Sequence, residues 1–212
     1  MTTFTFQGLL FDLDGTLVNS LPAVERAWST WSIENGLDPD EVLSKIHGRR
    51  AIDSIAILAP QLDLETAFRR LEHLEATDTE GVVPIAGAID FIDQITDIPW
   101  GIVTSGTSAI AAPRLAAGGI PKPEVFVPGE DVAEGKPSPA PFLEGARRLG
   151  LPVESILAFE DTVAGVQSAK GAGMHVVALS EEAAPHADAS ISDYGQLVLY
   201  KLDDDRWSLS IP

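Results

Sequence analysis

The 212-residue chain predicts an α/β protein in which a parallel sheet carries an inserted, purely helical block. Three observations predict this. From about residue 82 onward, short apolar runs alternate with helical segments: Ile102-Val103, Val125-Phe126-Val127, Ile156-Leu157-Ala158-Phe159, and His175 through Leu179. Strands that alternate with helices imply βαβ units and parallel pairing. An earlier run, Gly8-Leu9-Leu10-Phe11, has the unbroken apolar character of a strand buried on both faces. Between that run and the others lie residues 17–81, whose apolar positions recur only at helical spacing. The expected organisation is a discontinuous Rossmann-like core, residues 1–16 and 82–212, with an all-helical cap domain at 17–81.

Each element has its own signal. After the opening strand, Ser20-Leu21-Pro22 predicts an N-cap followed by an early helical proline. Val24, Ala27, Trp28 and Trp31 continue that helix until Gly36, and both tryptophans are expected to pack. Asp38-Pro39-Asp40-Glu41 opens a second helix, with acids where the helix dipole is positive. Its apolar face, Val42, Leu43 and Ile46, runs up to His47-Gly48-Arg49-Arg50. A third pattern, Ile52, Ile55, Ala56 and Ala59, ends at Pro60. A fourth starts at Asp63 with Leu64, Phe68, Leu71 and Leu74. Gly81-Val82-Val83-Pro84 marks the return to the sheet, and Leu197-Val198-Leu199-Tyr200 is expected as an edge strand.

Bulk properties exclude several function classes. The hydrophobic fraction of 45% and charged fraction of 22% are those of a soluble globular protein with a sizeable core. A net charge of −18 argues against nucleic acid and anionic membranes as partners. The same charge would repel an anionic substrate, so any phosphate site must be locally positive. With no cysteine there is no disulfide, thiol nucleophile or zinc–thiolate site. Neither a signal-peptide pattern nor a run of membrane-spanning length occurs. The expectation is a cytoplasmic protein, a monomer or weak dimer.

Four groups of residues carry possible chemistry. Asp12 and Asp14 follow the first apolar run two residues apart, so both would face one side as the strand ends. Gly15 permits a sharp turn there, and two adjacent acids call for a cation or a proton. Asp-Leu-Asp-Gly-Thr would equally suit an ordinary turn. Thr104-Ser105-Gly106, after Gly101-Ile102-Val103, offers hydroxyls and N–H groups to phosphate oxygens, or an N-cap to the next helix. Lys136, one of only 14 basic residues, sits in the stiff loop Gly135-Lys136-Pro137-Ser138-Pro139, either as a fixed charge or in solvent. Glu160-Asp161 ends the Ile156 to Phe159 run and suits a hard cation such as Mg²⁺, or a helix cap by Asp161. Together they supply two carboxylates, hydroxyl donors, a lysine and a metal acid, the parts that phosphoryl transfer needs.

In this order, Asp12-Leu13-Asp14-Gly15-Thr16, Thr104-Ser105, Lys136 and Glu160-Asp161 resemble the four motifs of haloacid dehalogenase-like hydrolases. The helical block after the first motif resembles their first cap type, and the likeness spans nearly the whole chain. Ser20-Leu21-Pro22-Ala23-Val24, His47-Gly48-Arg49-Arg50 and Gly165-Val166 bring it closest to phosphatases of hexose, hexitol or glycerol phosphates. Asn19 departs from the pattern, since relatives usually carry aspartate there; it lies outside the catalytic pair. The resemblance implies a Mg²⁺-dependent sugar or polyol phosphatase working through an aspartyl-phosphate. Asp12 would be the nucleophile and Asp14 the general acid and base. Thr104, Ser105, Gly106 and Lys136 would bind phosphate. Asp12, the Asp14 backbone carbonyl, Asp161 and Glu160, the last directly or through water, would hold the metal. His47, Arg49 and Arg50, in the cap turn after Ile46, are the expected sugar readers; His73, His175 and His186 are expected to be structural or exposed.

The nearest rival is a sugar phosphomutase of the same core, similar to beta-phosphoglucomutase. Related mutases carry a phosphate-binding arginine three residues after the cap glycine, where this chain has Ala51. A phospho-accepting receiver domain is shorter, keeps its acceptor aspartate mid-chain and lacks a helical cap. A dehalogenase has no evident use for Asp14 or a metal site, and an inactive binding protein would be expected to lose a motif.

Overall fold

A computed structural model describes residues 2–203 and 205–211. In chain order it contains β1 (Thr2–Phe6), β2 (Gly8–Phe11), β3 (Val18–Asn19), α1 (Leu21–Glu34), α2 (Pro39–Leu43), α3 (Ala51–Leu58) and α4 (Leu64–Thr77). There follow β4 (Val83–Pro84), α5 (Ala88–Gln94), β5 (Trp100–Val103), α6 (Ser108–Gly118), β6 (Val125–Val127), α7 (Ala140–Leu149) and β7 (Ile156–Glu160). The chain closes with α8 (Val163–Gly171), β8 (His175–Ala178), β9 (Ala189–Ser190), β10 (Val198–Lys201) and β11 (Trp207–Ile211).

The apolar run at Gly8–Phe11 becomes the centre of a six-stranded parallel sheet, ordered β6-β5-β2-β7-β8-β9. All four of its residues are buried, as a strand covered on both faces requires. Alternation sends Leu9 and Phe11 into one apolar cluster and Leu10 into another, on the opposite face. Phe11 pairs with Ile102 of β5 on one side and Phe159 of β7 on the other. This register brings the ends of three strands level, so the residues just beyond them share one edge. The chain runs from β2 outward to β5 and β6, then returns to β7 on the other flank. Open α/β sheets bind ligands at such a reversal.

Helices α1 to α4 lie between β3 and β4, which pair antiparallel where the chain leaves and re-enters the core (Val18 opposite Pro84, Asn19 opposite Val83). These helices have a separate apolar cluster that includes Trp28, Trp31, Ile46, Ile55 and Leu71. Trp31 is fully buried and donates its indole N–H to Ala67 O at 3.0 Å. Among the described residues no helix is long and apolar enough to cross a membrane.

Three local features differ from the sequence reading. Thr2–Phe6 is a strand, whose buried Phe4 and Phe6 show the period-two signal of a half-buried sheet. It joins β11 and β10 in a separate antiparallel sheet, ordered β1-β11-β10, so the Val198–Lys201 edge strand belongs there and not to the parallel sheet. Ser20 precedes α1 without capping it by its side chain, and Asp161 is not the cap of α8; Thr162 is, accepting from Gly165 N at 3.1 Å.

Helix α7 is tied to the loop after β6 by charge. Glu144 accepts from Arg147 and Arg148, each at 2.7 Å, and Arg148 reaches Asp131 and the Phe126 carbonyl. Hydrogen bonds from both arginines hold the Glu144 carboxyl down to about 2. A depressed carboxyl stabilises the fold above its unfolded pKa and loses that contribution as pH falls through the folded one. The difference in unfolding free energy between the native chain and Glu144→Gln, at most about 1 kcal/mol at neutral pH, is therefore expected to shrink between about pH 4.5 and pH 2. Urea titrations across that range measure it.

Candidate active site

The β2 strand ends in a tight turn that carries two of the expected acids. Asp12 N still donates to Phe159 O at 2.9 Å, continuing the ladder, and then Gly15 N donates to Val18 O at 2.7 Å. Gly15 has φ +83°, and a Cβ there would lie 2.0 Å from Asp161 Oδ2, so both its conformation and its bareness are required. The turn leaves Asp12 buried and Asp14 half-buried, both lining one cavity of about 850 Å³ between the sheet edge and the helical block. That volume is ordinary for a small-molecule site.

Lys136 forms the centre of the cluster. Its ammonium donates to Asp12 Oδ1 and Glu160 Oε1, each at 2.5 Å, and to the Val103 carbonyl at 3.0 Å. It is almost fully buried, so the loop lysine is a fixed internal charge and not a solvated one. Glu160 is tied on its other side: Oε2 accepts from the N–H groups of Asp161 and Thr162 and from the Thr162 hydroxyl, at 3.0 to 3.1 Å. Gly165 makes room for it, since a Cβ there would fall 1.8 Å from Glu160 Oε1.

The acids remain under-compensated. Burial pushes the Asp12 carboxyl up to about 8 against the pull of Lys136. Asp161 is raised well above the usual carboxylate range, first by burial and then by Glu160 and Asp12. Carboxylate oxygens of Asp12, Glu160 and Asp161 lie within 4.8 Å of one another. An all-oxygen, electron-rich set of this kind fits a hard divalent cation. Glu160 belongs to it by distance, yet both its oxygens are spent on protein donors. Asp161 makes one long contact, from Thr16 Oγ1 at 3.5 Å, so Asp12 and Asp161 are the acids left to face an ion.

Thr104 and Gly106 close the cavity on the β5 side; Thr104 Oγ1 accepts from Gly106 N at 3.0 Å, which leaves its hydroxyl hydrogen for a ligand. Thr107, not this group, precedes α6 as its N-cap residue. Ser105 reaches across to the helical block, donating to the Gly48 carbonyl at 3.4 Å.

The three cap residues separate. His47 and Arg49 are exposed and line the cavity. Arg50 also borders it, but its guanidinium grips Asp53 through two bonds of 2.7 and 2.9 Å. Its remaining donors reach the carbonyls of Gly129, Val132 and Ala133, on the loop that leads to Lys136. Arg50 fastens the cap turn to the core and has little left for a sugar.

Sequence reasoning missed two residues, Arg114 of α6 and Glu75 of α4. Arg114 Nη1 lies 2.9 Å from Asp14 Oδ2, and Nη2 donates to Glu75 Oε2 at 2.7 Å. Both are buried and line the cavity. Asp14 Oδ1 in turn accepts from the Ser20 hydroxyl at 2.6 Å, which is the use the structure makes of that serine. Arg114 left a faint signal, a lone charge inside the Ser108–Gly118 helix among alanines and isoleucine.

Comparison with known proteins matches residues 9–179 to the family described as haloacid dehalogenase-like hydrolase. Hexitol phosphatase A of Escherichia coli (strain K12) is 48% identical over 202 residues, covering 93% of this chain and 92% of that protein. Glycerol-1-phosphate phosphohydrolase 2 of Saccharomyces cerevisiae is 31% identical, covering 81% of this chain and 73% of the enzyme. Among solved structures, CbbY from Rhodobacter sphaeroides in complex with phosphate superposes with TM-score 0.78 at 24% identity, covering 90% of this chain and 96% of that one. At that identity the superposition speaks for the fold alone.

The tight fit of Gly165 against Glu160 can be checked inside one helix. Gly165→Ala is expected to lower the unfolding free energy by about 1–3 kcal/mol through overpacking. Gly171→Ala, whose Cβ meets Pro139 at an ordinary 3.6 Å, gains helix propensity instead. Thermal melts of the two variants should move in opposite directions.

Proposed function

The chain belongs to the haloacid dehalogenase-like hydrolases, and from that premise we propose that it is a Mg²⁺-dependent phosphatase of small sugar or polyol monophosphates. The observation that carries the reading is the meeting of Asp12, Asp14 and Asp161 around one cavity at the end of β2, with Lys136 bonded to Asp12 from behind. The substrate class follows from the relatives, whose names are those of hexitol and glycerol-1-phosphate phosphatases.

Asp12 is the nucleophile. Its carboxylate attacks phosphorus in line with the ester oxygen, the P–O bond to the leaving group breaks, and an aspartyl-phosphate forms. Asp14 gives a proton to the departing oxygen, then takes one from the water that attacks phosphorus as the P–O bond to Asp12 breaks, releasing inorganic phosphate and the Asp12 carboxylate. Ser20 and Arg114 hold Asp14 from two sides, fixing the carboxyl where the ester oxygen must lie. The Thr104–Gly106 segment offers donors to the transferring phosphoryl group in a partly closed site, where such interactions count most, and Lys136, whose three donors are taken, adds its positive charge from behind Asp12. Asp12, Asp161 and the Asp14 backbone carbonyl would hold Mg²⁺, with Glu160 acting behind them by fixing Lys136. When bound, the ion offsets phosphoryl charge that the acidic chain would otherwise repel.

Residues 17–81 act as a cap domain that excludes water and meets the leaving group. His47 and Arg49 are its candidate contacts, while Arg50 holds the cap turn in place. The rival mutase chemistry would pass the phosphoryl group to a second sugar hydroxyl instead of water. Incubation with a hexose 1-phosphate separates the two: a hydrolase yields inorganic phosphate, a mutase the 6-phosphate.

Asp12→Asn is expected to reduce phosphate release by about 10³-fold or more, and excess chelator should do likewise until Mg²⁺ is restored. Undiminished turnover in either experiment would sink the assignment. Asp14→Asn should lose far more activity with an alkyl phosphate than with p-nitrophenyl phosphate, whose leaving group departs unprotonated. Equal losses would remove Asp14 from the role of acid.

A further inference from the structure

We propose that Glu75 and Arg114 together read the hydroxyl groups of the leaving group, and so select a polyol or sugar phosphate over other phosphate esters. The inference rests on the phosphatase reading above and deepens it. Its starting point is a buried ion pair that needs an explanation. Arg114 of α6 and Glu75 of α4 are both almost wholly buried, and each lines the cavity. Desolvation makes a buried arginine–carboxylate pair a poor source of stability, so apolar residues of similar size would hold α4 to α6 at least as well. The walls nearby are largely apolar, with Leu21, Val24, Trp28, Phe68 and Ile110 also facing the cavity.

Position supplies the next step. Arg114 Nη1 is 2.9 Å from the Asp14 carboxyl, the group that protonates the departing oxygen. The atoms next to that oxygen, the carbon bearing it and the following hydroxyl, therefore come to lie beside Arg114 and, through it, Glu75. Valence supplies the third. An arginine carries five N–H donors; one here reaches Asp14 and one reaches Glu75. Arg114 Nε is buried without a hydrogen-bond partner among the described residues. Donor and acceptor are thus fixed side by side, the arrangement that neighbouring hydroxyls match because each can donate and accept. Bonds to charged partners are the strong ones. A site with buried polar groups also rejects a ligand that cannot pair with them. Arg50, by contrast, is closed off by Asp53 and three backbone carbonyls.

Because Glu75 comes from the helical block and Arg114 from the core, the reader is complete only when the two are together. Another bond across the same divide supplies a control. Thr107 Oγ1 donates to Glu72 Oε1 at 2.6 Å, and Glu72, one turn before Glu75, does not line the cavity.

The test compares kcat/KM for sorbitol 6-phosphate with kcat/KM for n-hexyl phosphate, an alkyl ester that needs the same protonation by Asp14 but has no hydroxyls to pair, in the native chain, Glu75→Gln and Glu72→Gln. The expected result is a fall of about tenfold or more in the sorbitol-to-hexyl ratio for Glu75→Gln, carried mainly by KM, with the native ratio kept in Glu72→Gln. Should Glu75→Gln fail to fold by circular dichroism, Arg114→Lys, which keeps the charge but loses the planar fork, is measured for the same ratio. An unchanged ratio, or an equal fall in Glu72→Gln, assigns the pair to holding the cap and overturns the proposal. A native chain that releases phosphate from neither ester would instead overturn the phosphatase reading.

Discussion

The ammonium of Lys136 is the interaction on which the site depends. It is the buried cation between Asp12 and Glu160, and without it the two carboxylates would face each other at the end of β2 with no counter-charge on the protein. A charge so deeply buried is tolerable only when paired and hydrogen-bonded. Here two carboxylates and the Val103 carbonyl occupy all three of its donors. The loop after β6 must therefore deliver the lysine to one point. Three sets of contacts hold that loop: Arg148 to Asp131, Arg50 to three carbonyls, and Ser138 O accepting from Ser168 of α8.

The same economy of positive charge shapes the whole cavity. With 32 acids against 14 basic residues, nearly every arginine and lysine at the site is committed to particular partners. Lys136 offsets the Asp12 carboxyl, Arg114 joins Asp14 to Glu75, and Arg50 clamps the cap turn to the core. Asp161 is the acid without such a partner, and burial beside two other carboxylates raises it well above the usual range. A divalent cation would be the missing counter-charge. With such an ion held there, an anionic substrate would meet a site less negative than the rest of this acidic protein.

The helical block and the core are coupled through polar contacts to the β5–α6 segment and to the loop before Lys136. Ser105 meets Gly48, Thr107 meets Glu72, Arg114 meets Glu75, and Arg50 meets the loop before Lys136. Movement of the block would break these four together and open the cavity over Asp12 and Asp14. In the proposed reaction, substrate recognition and assembly of the reacting groups would thereby be properties of one conformation, with residues 17–81 as a lid.

Local sequence patterns suffice for the architecture and for the candidate site residues. Unbroken apolar runs mark strands buried on both faces, helical periodicity marks the inserted block, and residues that follow a strand end stay at that end whatever else the chain does. Asp12, Asp14, Thr104, Lys136, Glu160 and Asp161 were legible for that reason, since each follows a run or lies in a loop tied to one. Tertiary structure decided the partners. Arg114 and Glu75 are 39 residues apart and meet only because α4 packs on α6, so no local pattern could pair them. Arg50 looked like a free ligand-binding charge until the loop carbonyls it grips, some 80 residues away, came into place. Ser20 holds Asp14 instead of capping α1 for the same reason: hydrogen-bonding capacity is written in a residue, but what it is spent on depends on which distant groups are brought within about 3 Å.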